Sequence, residues 1–326
     1  MKMQIREVFQ YYANDLKRVD SYMDSQMQSE VKIIPEIIRH LIGSGGKRFR
    51  PLLLLASSSL CGYEGDRRYY MAAVIEFIHT ATLLHDDVID HAQIRRGKVS
   101  ANNIWGNSAS VLVGDFLYSK SFSLMAEQGN LDIIKLLSSA TNAMSEGEVF
   151  QLVKCGDIGI TEEEYLTIIE KKTAVLISAA CAVGGMLSNV PQAQVQALVR
   201  FGTMLGSAFQ ITDDTLDYMA EEEHLGKAIG KDMQEGKVTL PLIRTLKVCS
   251  AEEGAAMKTF VEQANQNGQA VRDIVGVIHK YDGIEYALNK AKAYINEGKA
   301  CLDSFAASEA KKQLLTIADY VVERTL

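Results

Sequence analysis

"AAVIEFIHTATLLHDDVID", Ala72 to Asp90, is the stretch of sequence that most constrains the fold. Its apolar residues recur with helical spacing, and three aspartates lie together at its end. An unpaired charge is expensive to bury, so carboxylates that close a buried helix need a partner. A second stretch, "FQITDDTLDY" from Phe209 to Tyr218, repeats the arrangement later in the chain.

The first acidic stretch predicts a polar stripe along one helix. Residues three and four apart share a helix face, so His79, Thr82, Asp86 and Asp90 should lie in one line, with Asp87 beside it. Most acidic clusters are solvated helix faces or caps. A single DDxxD pattern is therefore a weak signal, and the repeat gives it weight.

The second acidic stretch predicts an equivalent stripe, formed by Gln210, either Asp213 or Asp214, and Asp217. Two such helices facing each other would bring six carboxylates around one cavity mouth. So much negative charge in a partly buried place requires cations. Magnesium fits best, because it takes oxygen ligands and usually binds through one or two carboxylates together with substrate phosphates.

Basic segments supply the complementary charge. "GSGGKRFRP", residues 43–51, is a glycine-rich turn that enters a helix and carries Lys47, Arg48 and Arg50. Backbone N–H groups at a helix start and an arginine fork both suit diphosphate oxygens. The segment is not a Walker loop, because Arg48 stands where that motif needs serine or threonine. Further cations and a hydroxyl come from "AQIRRG", "EKKTA" and "GKAIGKDMQEGK", which contain Arg95, Arg96, Lys172, Thr173, Lys227, Lys231 and Lys237.

Composition narrows the class of protein. The chain has 326 residues, of which 47% are hydrophobic, and its net charge of −7 argues against a nucleic-acid-binding protein. Five cysteines without a CxxC pair fit the reducing cytoplasm. The charged, amphipathic N-terminus is not a signal peptide. The most hydrophobic segment, residues 173–187, is shorter than the roughly 20 residues of a spanning helix, so we predict a cytoplasmic protein without a transmembrane segment.

Periodicity predicts an all-α fold. Apolar residues recur at three- and four-residue spacing almost throughout, with no sustained alternation typical of strands. Nothing resembles a linker, so we predict one domain over residues 1–326, with about a dozen helices around a central elongated cavity. Three pairs have the spacing of a capping box, namely Thr161 with Glu164, Ser250 with Glu253, and Asp282 with Glu285.

The ordered motifs resemble those of the trans-isoprenyl diphosphate synthases, specifically the bacterial long-chain polyprenyl diphosphate synthases of the octaprenyl and solanesyl type. The likeness runs from about Ile37 to Leu246 through "GGKRFRP", "HTATLLHDDVID", "RRG", "GD", "KTA", "FQITDDTLDY" and "GKVTLP". It implies the isoprenoid synthase fold. The flanking N- and C-terminal helices carry no signature motif.

The resemblance implies a role for each matching residue. The isopentenyl diphosphate site would comprise Lys47, Arg50, His79 and Arg96. The allylic diphosphate would be contacted by Arg95, Lys172, Thr173, Gln210, Lys227 and Lys237, with Lys231 and Asp232 auxiliary. The catalytic set would comprise Asp86, Asp87, Asp90, Asp213, Asp214, Asp217, Lys172 and Lys227. Two to three magnesium ions per active site would be held by Asp86, Asp90, Asp213 and Asp217.

The implied reaction joins isopentenyl diphosphate head-to-tail, in trans, to an allylic diphosphate. The diphosphate departs, the isopentenyl double bond attacks the allylic cation, and proton loss gives a product one isoprene unit longer. His85 precedes Asp86 but lies off the aspartate stripe, so we interpret it as a structural hydrogen-bonding residue. The family also implies a homodimer, and the hydrophobic product implies transient contact with a membrane during release.

Chain length depends on the helical turn below Asp86. Ala81 and Thr82 occupy that turn, where short-chain relatives carry a bulky aromatic, so the floor of the cavity is predicted to be open. Because each added unit buries about five carbons at about 0.8 kcal/mol per methylene, growth should continue until a deeper residue blocks it. Phe77, Ile78 and the neighbouring-helix residues Phe116 and Met125 are candidates. We expect a product of roughly thirty to fifty carbons, with forty favoured, as a quinone side-chain precursor.

Three alternatives to this interpretation each have a sequence feature against them. A metal phosphohydrolase would explain "HDD", but such enzymes hold their metal with several histidines, whereas the second motif is purely carboxylate. A non-catalytic partner in a heteromeric prenyl synthase should lack the metal-binding aspartates. A terpene cyclase or squalene-type synthase would not need Lys47, Arg50 and His79.

Overall fold

The computed structural model describes residues 3–43, 45–219, 230–263 and 268–324. It confirms the all-α prediction: within these ranges helices make up nearly all the regular structure, and the strands form a single two-stranded ribbon. The described residues form two compact units. The first comprises residues 1–141, 179–199 and 304–316, and the second comprises 142–178, 200–303 and 317–326.

The first unit is built mainly from the N-terminal elements. They are α1 (Ile5–Tyr11), α2 (Ala13–Gln26), α3 (Ile33–Ile42), α4 (Phe49–Leu60), α5 (Arg67–Ile89), β1 (Ile94–Arg95), β2 (Lys98–Val99), α6 (Ala101–Trp105), α7 (Asn107–Gln128) and the start of α8 (Leu131–Lys154).

Helix α5 forms the core of this unit and packs against α2, α4 and α7. Every residue from Tyr69 to Ile78 is buried, which is typical of a helix enclosed on all sides. Near its C-terminal end it passes very close to α7. A Cβ atom on Gly114 would lie 2.3 Å from His85 Nε2, so a larger residue there would force the imidazole of His85 to move. This contact explains the glycine of the "GD" motif.

The ribbon is a difference from the sequence expectation. Ile94 pairs with Val99 and Arg95 with Lys98 in antiparallel register. Arg96 and Gly97 form the turn with φ values of 51° and 75°, the left-handed conformation that two-residue hairpin loops require. Strands of two residues are too short to display an alternating pattern, which is why periodicity did not reveal them.

The second unit contains the following elements in chain order. They are the rest of α8, α9 (Glu162–Ile169), a π-helical turn (Glu170–Ala174), α10 (Val175–Leu187), α11 (Gln192–Met219), α12 (Lys231–Gln234), α13 (Leu240–Val248), α14 (Ala251–Gln263), α15 (Gly268–Lys280), α16 (Gly283–Cys301) and α17 (Glu309–Glu323), with α10, α11 and α17 partly assigned to the first unit.

Within this unit, α11 approaches the π-helical turn closely. A Cβ atom on Gly206 would lie 2.5 Å from the Cα of Ala174, and one on Gly202 would lie 2.5 Å from the Cα of Ser178. These two glycines, one turn apart, let the backbones meet. The approach brings the "EKKTA" segment beside Gln210.

Two of the three predicted capping boxes are confirmed. The N–H of Glu164 donates to Thr161 Oγ1 at 3.2 Å, and the Thr161 N–H donates back to Glu164 Oε2 at 2.8 Å. Ser250 and Glu253 exchange the same pair of bonds. The third prediction is wrong, because Asp282 has a left-handed φ of 55° and its side chain does not cap α16. It turns the chain out of α15 instead.

Among the described residues, no helix is both long enough and apolar enough to cross a membrane.

Candidate active site

The first acidic motif lies at the C-terminal end of α5 and divides its aspartates by burial. His79, Thr82, Asp86 and Asp90 are partly exposed, whereas Asp87 is completely buried. The first four sit at three- and four-residue spacing, so the predicted stripe is present. Asp90 is the first residue beyond the helix, and its N–H donates to the Asp86 carbonyl at 2.8 Å.

Asp87 is held by Arg95 of the ribbon. The Arg95 Nε donates to Asp87 Oδ1 at 2.7 Å, and a terminal guanidinium nitrogen lies 2.5 Å from the same oxygen. Within the described part of the chain, the buried Oδ2 atom has no hydrogen-bond partner. A buried carboxylate with one bare oxygen keeps negative potential at this end of α5. Arg95 is thereby fixed in orientation while remaining partly exposed.

His85 makes the structural contacts that its position off the stripe predicts. Its Nε2 lies 3.1 Å from the Val111 carbonyl oxygen and 3.3 Å from Asp115 Oδ1, both on α7. The imidazole also stacks on Tyr118. Burial, together with the negative charge of Asp86, raises the pKa of Tyr118 to about 12, so this phenol stays protonated beside the motif.

The second acidic motif shows the same division. Asp213 and Asp217 are partly exposed and Asp214 is buried, which assigns the stripe position to Asp213. Asp214 accepts a hydrogen bond from the Tyr165 hydroxyl at 2.6 Å and another from Gln210 Nε2 at 2.7 Å. The Thr173 hydroxyl donates to Gln210 Oε1 at 2.8 Å, so the chain of bonds continues to the π-helical turn.

Carboxylates crowd this part of the second unit. Burial, reinforced by the charges of Asp214 and Asp217, raises the pKa of Asp232. Its backbone N–H donates to Asp217 Oδ2 at 3.0 Å. The positive charge of Lys237 opposes the upward shifts in the pKa of Asp214 and of Asp232. This predicted lysine therefore lies near the same cluster of carboxylates.

Lys172 is held by two residues of α8. Its Nζ lies 2.7 Å from Glu148 Oε2 and 2.7 Å from Gln151 Oε1. The π-helical turn widens the helix at this residue, and π-turns of this kind often occur at functional sites. A partly exposed lysine whose ammonium group is held in place by neighbouring side chains is suited to bind a phosphate.

Arg324, near the end of α17, contributes a cation that sequence reasoning missed. A terminal nitrogen lies 2.6 Å from Asp213 Oδ1 and 3.0 Å from the Phe209 carbonyl oxygen. Its guanidinium also stacks over the Phe209 ring at 4.2 Å. The stacking and the carbonyl bond fix the guanidinium beside the acidic motif.

Three of the residues predicted for isopentenyl diphosphate, Arg50, His79 and Arg96, lie close together in the first unit. Desolvation, followed by the charges of Arg50 and Arg96, lowers the pKa of His79 well below its usual value. His79 is therefore neutral and lies within electrostatic range of both arginines. Arg96 donates to the Gly45 carbonyl of the glycine-rich loop, and Lys47 is exposed on that loop.

The donor set fits magnesium held jointly with a substrate. Among the described residues, no three acidic, histidine or cysteine side chains form a complete metal cage. Asp86 with Asp90, and Asp213 with Asp217, instead offer pairs of partly exposed carboxylates. Magnesium commonly takes one or two carboxylates and completes its shell with phosphate oxygens and water.

A family profile described as Polyprenyl synthetase matches residues 31–278. The chain belongs to this family. It is a prenyltransferase, as the resemblance implied.

Close relatives share almost the full length of the chain. Octaprenyl diphosphate synthase of Escherichia coli (strain K12) is 37% identical over 322 residues, covering 99% of each chain. A decaprenyl diphosphate synthase from Rhodobacter capsulatus superposes with a TM-score of 0.94 at 40% identity, covering 99% of each chain. A polyprenyl synthase from Caulobacter crescentus CB15, complexed with calcium and isoprenyl diphosphate, superposes with a TM-score of 0.92 at 39% identity, covering 100% of this chain and 99% of that one.

In this polyprenyl synthetase the residues predicted for chain length differ in accessibility. Ala81 is completely buried, whereas Thr82 is partly exposed and donates to the His79 carbonyl at 2.8 Å. Phe77, Ile78 and Met125 are buried, and Phe116 is partly exposed. Thr82 shares the stripe with Asp86, so it is the nearer of the two to the predicted path of the product.

Several site residues escaped sequence reasoning, and Lys227 lies outside the described residues. Tyr118, Tyr165, Glu148 and Arg324 each touch or electrostatically influence a predicted residue. Of these, only Glu148 carried a usable signal. It stands in "GEVFQL", where it and Gln151 are three residues apart and therefore share a helix face.

Proposed function

We propose that this prenyltransferase condenses isopentenyl diphosphate head-to-tail with an allylic diphosphate, in a magnesium-dependent reaction that yields a long all-trans polyprenyl diphosphate. The observation that carries the proposal is the repeated pair of partly exposed aspartates four residues apart, each on an otherwise largely buried helix. One such pair could be a solvated helix end. Two pairs, accompanied by oriented arginine and lysine side chains, suit metal-bridged diphosphate.

Asp86 and Asp90 would hold magnesium together with the allylic diphosphate, and Asp213 with Asp217 would hold a further ion. When bound, magnesium would supply Lewis-acid stabilisation of the departing diphosphate. Arg95, oriented by Asp87, contacts a phosphate oxygen through its exposed edge. Asp87 and Asp214 act by orienting these neighbours, which suits their burial.

Lys172 contacts the allylic diphosphate from the π-helical turn, with Glu148 fixing its ammonium group. Thr173 already donates to Gln210, and Gln210 in turn donates to Asp214. Their preorganised arrangement limits the rearrangement needed as charge develops on the departing group. Lys227 and Lys237 complete the set by family resemblance.

Lys47, Arg50, His79 and Arg96 bind the diphosphate of isopentenyl diphosphate. Neutral His79 donates a hydrogen bond to a phosphate oxygen, and the arriving negative charge favours its protonation. The isopentenyl double bond then attacks the allylic cation. The proton that is lost passes to the released diphosphate, so no protein base is required. The isopentenyl double bond is itself the nucleophile, so no side chain has to act as one.

The product contains roughly thirty to fifty carbons, with forty favoured, and serves as a quinone side-chain precursor. The small side chains of Ala81 and Thr82 support growth past the first turn below Asp86, since each added unit gains about 4 kcal/mol at most from burial. The octaprenyl and decaprenyl names of two relatives agree with this range.

The chain acts as one functional domain and as a homodimer in the cytoplasm, touching a membrane transiently while its product leaves. Exposed apolar side chains in each of the two units support assembly. They are Val111 and Leu112 on α7 and Val149, Leu152 and Val153 on α8. Size-exclusion chromatography with light scattering would test the dimer.

The decisive experiment incubates the purified protein with radiolabelled isopentenyl diphosphate, magnesium and each allylic primer in turn. Products are separated by chain length, which reports activity, primer and termination together. EDTA should abolish incorporation, and added magnesium should restore it. If no primer yields an extended lipid, the proposed function is wrong.

A further inference from the structure

Arg48 stands between two predicted phosphate ligands, yet its side chain is committed elsewhere. Its Nε lies 2.9 Å from Asp20 Oδ1 on α2, and a terminal nitrogen lies 3.0 Å from Glu76 Oε1 on α5. The side chain is 11% exposed. Lys47 and Arg50 flank it on the loop and at the start of α4.

Glu76 requires this partner. It lies within the fully buried run of α5, from Tyr69 to Ile78, and is the only charged residue of that run. A buried carboxylate without a counter-ion is strongly unfavourable. If Arg48 turned toward a substrate phosphate, Glu76 would lose that counter-ion, so the pair is expected to persist when substrate binds.

The backbone of Arg48 is arranged for this contact. It caps α4 with φ 46° and ψ 43°, a left-handed conformation that residues with side chains rarely adopt. Such conformations persist only where the surroundings enforce them, and they cluster at functional sites. Here the ion pair to the middle of α5 supplies the constraint.

The pair joins the two segments that carry the predicted isopentenyl diphosphate ligands. Glu76 lies one turn before His79 on α5, and the Thr80 hydroxyl donates to the Glu76 carbonyl at 2.7 Å. We propose that the Arg48–Glu76 ion pair positions the isopentenyl diphosphate site, and that Arg48 is a positioning residue and not a phosphate ligand. This inference rests on the proposed function.

Arg96 and Lys98 secure a different part of the same loop. Arg96 donates to the Gly45 carbonyl, and Lys98 Nζ donates to the Gly43 carbonyl at 2.9 Å. Both bonds attach the glycines to the ribbon. The Arg48–Glu76 pair instead sets the start of α4 against α5, which fixes Arg50 relative to His79.

The test measures the KM for isopentenyl diphosphate, the KM for the allylic primer and kcat in Arg48→Met, Glu76→Gln and the double variant. Each single change should raise the isopentenyl KM by about ten- to a hundredfold, since small misplacements of binding groups are costly, and leave the allylic KM within about twofold. The double variant should be no worse than the worse single variant, because both changes break the same link.

Asp20→Asn is the matched control, since it removes only the more exposed partner of Arg48 and leaves the contact with α5. Its isopentenyl KM should stay within about twofold of wild type. Should Arg48→Met fail to fold, Arg48→Lys retains the charge without the guanidinium fork and should raise the isopentenyl KM severalfold on its own.

Each contrary outcome has a distinct meaning. If Arg48→Met raises the isopentenyl KM while Glu76→Gln does not, Arg48 is a direct phosphate ligand and the inference is overturned. Equal rises in both KM values would overturn it too, because they indicate a general loss of structure. A wild-type protein that incorporates no isopentenyl diphosphate would defeat the proposed function itself.

Discussion

Replacing Tyr165 with phenylalanine removes one hydroxyl group from a buried carboxylate. The Tyr165 hydroxyl donates to Asp214 Oδ2 at 2.6 Å, and both residues are buried. Hydrogen bonds to charged groups contribute about 1.5–3 kcal/mol to stability. Gln210 still donates to the other oxygen, so we expect a loss of about 2 kcal/mol where Asp214 is ionised.

The loss should depend on pH. Burial raises the pKa of Asp214 to about 6, and the hydrogen bonds from Tyr165 and Gln210 oppose that rise. Because this folded-state pKa lies above the unfolded value of about 3.9, the carboxyl group's contribution to stability is present below about pH 4 and lost as pH rises through about 6. Without the Tyr165 donor the pKa rises further, so the loss continues to higher pH.

Urea denaturation in EDTA at pH 5 and pH 8, followed by circular dichroism, measures the effect as a change in midpoint at constant m-value. Tyr165→Phe should be clearly more destabilising at pH 8. Tyr286→Phe is the control, because its hydroxyl bonds to Glu162, which keeps its ion pair with Lys290. A Tyr165→Phe effect that is equal at both pH values, or below about 0.5 kcal/mol at pH 8, would refute the reasoning.

Three further predictions concern activity. Thr82→Phe should shorten the products, as measured by chain-length chromatography. It should lower the Tm less than Ala81→Phe does, because Ala81 is enclosed and overpacking an enclosed site costs about 1–3 kcal/mol. Active variants with unchanged products would contradict the prediction that this turn forms the floor of the cavity. Asp86→Asn should lower kcat by about a hundredfold or more and raise the magnesium concentration needed for half-maximal rate; an unchanged magnesium titration would count against its role as a ligand. Glu148→Gln should raise the allylic KM but not the isopentenyl KM in steady-state assays, because Lys172 loses the carboxylate that orients its ammonium group. A rise in the isopentenyl KM alone would contradict the assignment of Lys172 to the allylic diphosphate.

Local physics made the helices and the stripes predictable. The apolar spacing of α5 predicts its buried faces, and the four-residue separation of Asp86 and Asp90 predicts that the two aspartates share one face of the helix. The choice between Asp213 and Asp214 could not be made in the same way, since adjacent positions near one face satisfy the pattern equally well. That choice depends on Tyr165, which comes from another helix.

Contacts between distant segments account for what the sequence did not reveal. Arg48 has the same charge as Lys47 and Arg50, and only its left-handed backbone and its pairing with Glu76 distinguish it. Arg324 is 111 residues beyond Asp213 and lies in a helix without a motif, so no spacing rule links the two. Ion pairs of this kind depend on tertiary packing, which periodicity does not encode.

The two acidic motifs share a division of labour but differ in chemistry. In each, the outer aspartates remain partly exposed and the second aspartate is buried. A buried carboxylate must be compensated, and Asp87 is compensated by the cation Arg95, whereas Asp214 is held by the neutral donors Tyr165 and Gln210. A neutral donor leaves the net charge of the motif unchanged, while an arginine cancels one unit of it. In the second motif Arg324 cancels one unit of charge through Asp213, so each motif is paired with one arginine but through a different aspartate.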